Sequence, residues 1–310
     1  MTNVDELQVG KNLVSFQSEG ETLSALLYIP QEVESNLPLP AMVIARPGTG
    51  VKEQTAQVYA EALSQRGFIT LAFDARGFGD SEGAHLQVEN PYSVVEDIKN
   101  SVSYLSTLSL VDTQRLFNVG ICMGAGYAYY ATALDARVKA VGMISPYLNA
   151  AEQNIAAFGT VANLREYYLS GTSKARQDFF ENGVDTYFSP VPESDSNEVL
   201  PIANGMRGYY LPGHPGAESA NWQNKLNLYG AEAILTFSAF NVIPLMDNIP
   251  MFMALGSEAY TVDNSKDFYE KASEPKALFM LEGQGHFDIY WRKENVEPVA
   301  NALATFLKAN

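Results

Sequence analysis

The sequence predicts an α/β fold: a mostly parallel central sheet with helices on both faces and one large insertion. Three observations carry that expectation. Residues 41–45, 68–73, 116–121 and 138–144 are short, continuous apolar runs, as strands buried on both faces require. Apolar residues at helical spacing separate them: Val58, Tyr59 and Leu63, then Ile98, Val102 and Leu105. The same strand rhythm returns at residues 250–255 after a long interruption. Alternation of strand and helix is the signature of a parallel sheet covered by helices.

Taken in order, residues 12–17 and 23–28 alternate and read as an antiparallel pair. The strand at 41–45 runs into Arg46-Pro47-Gly48-Thr49-Gly50, a loop by composition. The strand at 68–73 closes on Asp74-Ala75-Arg76-Gly77. A further apolar strand leads into Gly120-Ile121-Cys122-Met123-Gly124 and a helix, and 138–144 follows as another strand. From 149 to about 248 the chain reads as irregular and aromatic-rich, with Phe158, Tyr167, Tyr168, Phe179, Phe180, Tyr187, Phe188, Tyr209, Tyr210, Phe237 and Phe240. After 250–255 come a helix around 268–272, a strand at 277–281, and a closing helix marked by Val296, Val299, Leu303 and Phe306. The expected organisation is therefore a core of residues 1–147 and 249–310, with 148–248 a cap inserted over the sheet edge. Such a cap shapes a substrate pocket.

A chain of 310 residues with 46% hydrophobic and 18% charged content fits a soluble globular protein. Its formal charge of −16 repels phosphates, which argues against nucleic acid or an anionic membrane as partner. No apolar run approaches the length of a membrane span. The polar, acidic opening at residues 1–6 does not resemble a secretory leader, and the lone cysteine excludes a disulfide within the chain. Both point to the cytoplasm.

That cysteine is the most informative residue. Cys122 stands where a G-x-S-x-G nucleophile elbow carries serine, between an apolar strand and a helix. Gly120 and Gly124 suit a reversal too tight for side chains, and Ala125, Gly126, Ala128 and Ala131 let the helix lie close to the sheet. The competing reading is a buried cysteine acting as a small hydrophobe. A second match, Gly79-Asp80-Ser81-Glu82-Gly83, lacks the strand–turn–helix context, and Ser81 reads as a loop residue.

A thiol nucleophile needs a base. Of three histidines, His286 follows the last strand directly, in the slot that the chain order nucleophile, acid, histidine assigns it. His85 and His214 read as surface residues. The acid belongs after the 250–255 strand. Glu258 is the first choice there, with Asp263 and Asp288 as alternatives. Oxyanion donors are expected from the Met123 N–H and from Gly48 or Thr49, since Pro47 has no N–H. Glu53 could fall near the thiol or serve only as a surface group. Neither metal-ligand spacing nor a dinucleotide fingerprint is present, so no cofactor is expected.

With these residues in view, the chain resembles the dienelactone-hydrolase-related branch of the α/β-hydrolases over nearly its whole length. The resemblance rests on residues 46–54 (RPGTGVKEQ), 73–83 (FDARGFGDSEG), 120–124 (GICMG) and 285–290 (GHFDIY). It implies an α/β-hydrolase fold and ester-type hydrolysis through an acyl-cysteine. Three departures stand out: the insertion is long, Ala259 occupies the usual acid position, and Arg46-Pro47 replaces a histidine often found before the oxyanion loop.

The expected function is thus a hydrolase of small carboxylic esters or thioesters with an apolar or aromatic acyl part. An acyltransferase would use the same residues, and a non-catalytic ligand-binding protein on this fold is the rival from another class. The sequence leaves the oligomeric state open, a homodimer included.

Overall fold

A computed structural model describes residues 7–31, 38–191, 203–219 and 221–310. Residues 1–6 lie outside it. At its centre is an eight-stranded sheet of β1 (Gly10–Ser18), β2 (Glu21–Ile29), β3 (Leu39–Ala45), β4 (Ile69–Phe73), β5 (Val111–Ile121), β6 (Val138–Ile144), β9 (Met251–Gly256) and β10 (Lys276–Leu281). The spatial order is β1-β2-β4-β3-β5-β6-β9-β10. The β1–β2 and β2–β4 pairings are antiparallel, and every pairing from β4 to β10 is parallel.

Alternate side chains of the apolar strands serve two cores. Ala41, Val43 and Ala45 of β3 pack under α2 (Pro91–Ser106) and α3 (Met123–Ala133). Met42 and Ile44 face α1 (Thr55–Ser64) and α9 (Lys293–Ala309) on the other side. Burial on both faces explains why these strands carry no polar alternation. The Asn90 side chain accepts from the N–H groups of Tyr92 and Ser93, and Pro91 takes the first turn of α2.

The topology places the site. From β3 the chain moves outward to β4 through α1, then returns past β3 to β5 through α2. The order therefore reverses between β3 and β5, and crevices open at the carboxyl ends of such strands. Positive φ at Thr49, Cys122 and Ser145, just beyond β3, β5 and β6, marks the same edge.

The described residues of 148–248 depart from the expected irregularity, being largely helical. They include α4 (Ala150–Phe158), α5 (Val161–Asn163), a π-helical segment (Leu164–Leu169), α6 (Ser170–Asn182) and α7 (Ala203–Tyr210). Two short strands, β7 (Tyr187–Phe188) and β8 (Leu226–Asn227), pair antiparallel. Helix α6 escapes periodicity because it buries so little, only Thr172 and Ala175. Helix α8 (Val262–Lys271) links β9 to β10. No described helix is long and apolar enough to cross a membrane.

Candidate active site

Cys122 alone separates β5 from α3, with φ 56° and ψ −121°. Its neighbours must be glycine. A Cβ on Gly120 would lie 2.0 Å from the Gly124 carbonyl oxygen, and one on Gly124 would lie 2.3 Å from that of Arg46. The left-handed backbone at Cys122 is pinned from both sides: its N–H donates to Ile144, and its carbonyl accepts from Tyr147 and Ala125. The N–H groups of Gly48 and Met123 both reach the thiol.

The loop carrying Gly48 is held by two buried ion pairs. Arg46 Nη1 lies 2.8 Å from Glu89 Oε2, and the same oxygen accepts the Thr49 N–H at 2.9 Å. The Thr49 N–H is thus committed to Glu89, while that of Gly48 lies near enough to the thiol to lower its pKa. The second pair joins Lys52 Nζ to buried Asp74 at 2.7 Å. Asp74 also accepts the backbone N–H groups of Lys52 and Asp80, tying the loop after β3 to the loop after β4. A Cβ on Gly79 would strike the Asp74 carboxylate at 2.2 Å, so the motif at 73–83 is built around that acid. Glu53, Asp74 and Asp80 form the one cluster of potential metal ligands among the described residues. The Lys52 ammonium already sits 2.7 Å from a carboxylate oxygen of each.

His286 lies on the loop after β10, anchored by the Ser145 hydroxyl donating to its carbonyl at 2.8 Å. Its ring contacts two hydroxyls: Nδ1 is 3.2 Å from Thr261 Oγ1, and Nε2 is 3.1 Å from the Tyr290 hydroxyl. Glu258 is exposed and does not reach the imidazole; only its backbone is engaged, with the N–H donating to Gln284. Asp263 is exposed in the first turn of α8, and Asp288 accepts the Gly285 N–H and pairs with Arg292. The expected carboxylate is thus replaced by Thr261. The turn after β9 carries Ala259 inward and buried, and sends Glu258 outward.

Without a charged partner, both titratable groups sit neutral. Burial lowers His286 to about 3. Burial likewise pushes the Cys122 thiol up to about 11, reinforced by the Glu89 charge; the Tyr290 hydroxyl and the N–H groups of Met123 and Gly48 pull the other way.

The remaining sequence candidates lie elsewhere. Glu53 pairs with Lys52 away from the thiol. His85 stacks on Tyr229 and meets Phe179 edge-on, and His214 is exposed. The Ser81 hydroxyl donates to the Asp74 carbonyl, a loop brace. Sequence reasoning missed Thr261, Tyr290 and Glu89. Thr261 stood in the stretch searched for an acid, but that search considered carboxylates only.

Cys122 opens on a cavity of about 450 Å³ lined mostly by apolar groups, among them Tyr147, Tyr168, Phe188, Met206, Tyr210 and Ile234. Not every aromatic of 148–248 turns toward it: Phe237 packs against Tyr127, Phe240 against Phe268, and Phe180 is exposed. The side chains of Phe158 and Tyr167 lie outside the description. A second groove of about 520 Å³, between Lys11, Tyr28 and α1, has no cysteine or histidine in its described lining.

Comparison with known proteins agrees with this architecture. The family described as serine aminopeptidase, S33, matches residues 38–177. The uncharacterized protein YcjY of Escherichia coli is 34% identical over 310 aligned residues, covering 96% of this chain and 98% of its own. The crystal structure of the hypothetical protein PA2218 from Pseudomonas aeruginosa superposes with a TM-score of 0.86 at 28% identity, covering 100% of this chain and 98% of that one. A thiohydrolase from Eupenicillium brefeldianum aligns at 22% identity over 95% of this chain and 93% of its own. Kinship with YcjY over nearly the whole length shows that the chain belongs to that protein's family, and its fold is that of the α/β-hydrolases.

Proposed function

We propose that the protein cleaves small carboxylic esters or thioesters through an acyl–Cys122 intermediate, in the manner of a dienelactone-hydrolase-like Cys–His enzyme. The observation that carries this reading is the thiol itself. It is held on a strained elbow between two backbone N–H groups, at the wall of an apolar cavity. In the reaction the sulfur attacks the carbonyl carbon as its proton leaves toward His286. The N–H groups of Gly48 and Met123 then bind the oxyanion, where loss of one such donor costs on the order of a hundredfold or more in rate. Collapse expels the alcohol or thiol, which takes a proton back, and water releases the acyl group by the same path. The neutral resting pair means that the thiolate forms only as the substrate is attacked.

The segment 148–248 serves as the cap, supplying Gln153, Asn154, Tyr168, Phe188 and Leu226 to the cavity wall. No lysine or arginine lines the cavity among the described residues, and its one carboxylate, Glu89, is paired with Arg46. A neutral apolar or aromatic acyl group fits it; an acyl chain ending in a carboxylate would be desolvated beside Glu89 with no cation to receive it. The name of the thiohydrolase relative supports thioesters among the substrates.

The test is turnover of paired butyryl and succinyl esters and thioesters. Butyryl substrates should react at least about tenfold faster, and Cys122→Ala should lose about a thousandfold or more. Turnover undiminished in Cys122→Ala would refute the proposal. Absence of turnover together with tight binding of neutral ligands would favour a binding protein.

A further inference from the structure

We propose that Tyr290 carries the proton between Cys122 and His286, its hydroxyl standing as an obligatory link where a direct contact of the two would be expected. The inference rests on the acyl-enzyme reading above. Among the described residues, His286 hydrogen-bonds through its ring to Thr261 and Tyr290, and no hydrogen bond joins it to Cys122. The imidazole is withdrawn from the substrate cavity: Cys122 and Tyr290 line that cavity and His286 does not. The Tyr290 hydroxyl is 3.1 Å from Nε2, and Tyr290 shares the cavity wall with Cys122, close enough to pull the thiol pKa down; Tyr260 lines the same wall near the thiol but makes no hydrogen bond to the imidazole.

This tyrosine has little freedom to swing aside. Its carbonyl accepts the Thr55 hydroxyl at 2.7 Å, the carbonyl of Ile289 accepts the Tyr59 hydroxyl at 2.6 Å, and its ring meets Tyr209 edge-on at 5.2 Å. Burial raises its phenol well above the ordinary value, so it stays protonated between steps.

The proton count closes. In the resting state the S–H donates to the Tyr290 oxygen, whose O–H donates to Nε2, while Nδ1–H donates to Thr261. As sulfur bonds to the carbonyl carbon, the thiol proton passes to the tyrosine oxygen and the tyrosine proton passes to Nε2. The products are an S–C bond, a neutral phenol and an imidazolium. Collapse reverses the shuttle: Nε2–H returns to the tyrosine oxygen, and the tyrosine proton goes to the departing oxygen or sulfur. Deacylation repeats both transfers with water in place of the thiol.

The experiment is single-turnover acylation by p-nitrophenyl butyrate, read as the p-nitrophenolate burst in Tyr290→Phe and wild type, with a proton inventory on the wild type. The phenylalanine keeps the ring and removes only the hydroxyl. Loss of the relay should slow acylation about a hundredfold or more, with KM little changed, as for removal of a general acid–base group. The wild-type inventory in mixed H₂O and D₂O should be curved, reporting two protons in flight. Acylation of Tyr290→Phe within about threefold of wild type, or a linear wild-type inventory, would overturn the relay. The inventory decides the matter even if the variant does not fold. A wild type that forms no acyl–Cys122 would instead defeat the underlying reading and the relay with it.

Discussion

Cys122 and His286, the proposed catalytic pair, show what burial does to two titratable groups that lack a counter-charge. A thiolate–imidazolium pair needs each charge stabilised, and here Thr261 and Tyr290 offer hydroxyls only. Desolvation therefore keeps the proton on sulfur, at about 11, and off the imidazole. Below its pKa, the thiolate fraction rises tenfold with each pH unit. Alkylation of Cys122 by iodoacetamide should accordingly keep climbing beyond pH 9, whereas a free cysteine, with pKa about 8.5, levels off there. Rates followed by intact mass that plateau by pH 8 would contradict a neutral resting thiol. The sequence made Cys122 legible because its glycines serve sterics that spacing records. It also placed His286 correctly after the last strand. It could not show which side chain met Nδ1, because that depends on how a four-residue turn rotates Glu258 out and Ala259 in.

At the scale of elements, two buried ion pairs hold the loop after β3, and neither was visible as a pair in the sequence. Arg46 and Glu89 are far apart in the chain and meet only because β3 and the loop before α2 share the sheet's switch point. Lys52 and Asp74 meet because β3 and β4 are parallel neighbours in the sheet, which brings the loops after them together. Replacing Lys52 with methionine would leave Asp74 buried and unpaired, which costs about 3–5 kcal/mol for such a broken pair. Urea unfolding should show that loss. A variant as stable as wild type would mean that Asp74 is relieved by another group. The strands themselves were plain to read, since apolar runs buried on both faces leave no alternative. The helices of 148–248 were not. Helix α6 packs a narrow stripe and exposes the rest, so its clearest signal was its end, where Gly183 adopts φ 66° after Asn182.

For the whole molecule, the withdrawn histidine ties stability to pH. His286 folds with a pKa of about 3, against an unfolded value near 6.5. The unfolded chain therefore binds the proton first as pH falls, and this contribution, present above pH 6.5, is lost between that pH and about 3. Between pH 7 and pH 5 the loss should be about 2 kcal/mol. His286→Gln removes the group from both states, so its unfolding free energy should fall by about that much less than wild type over the same interval. Equal falls in the two proteins would show that the imidazole is solvated in the native state.

The central claim is that the sulfur at the end of β5 becomes acylated. Intact-mass analysis during turnover of a butyryl thioester, with peptide mapping of the product, tests it most directly. A single butyryl group on Cys122, appearing and decaying fast enough to account for turnover, is the expected result. Thioester cleavage with no adduct at Cys122, and with Cys122→Ala as active as wild type, would contradict the account.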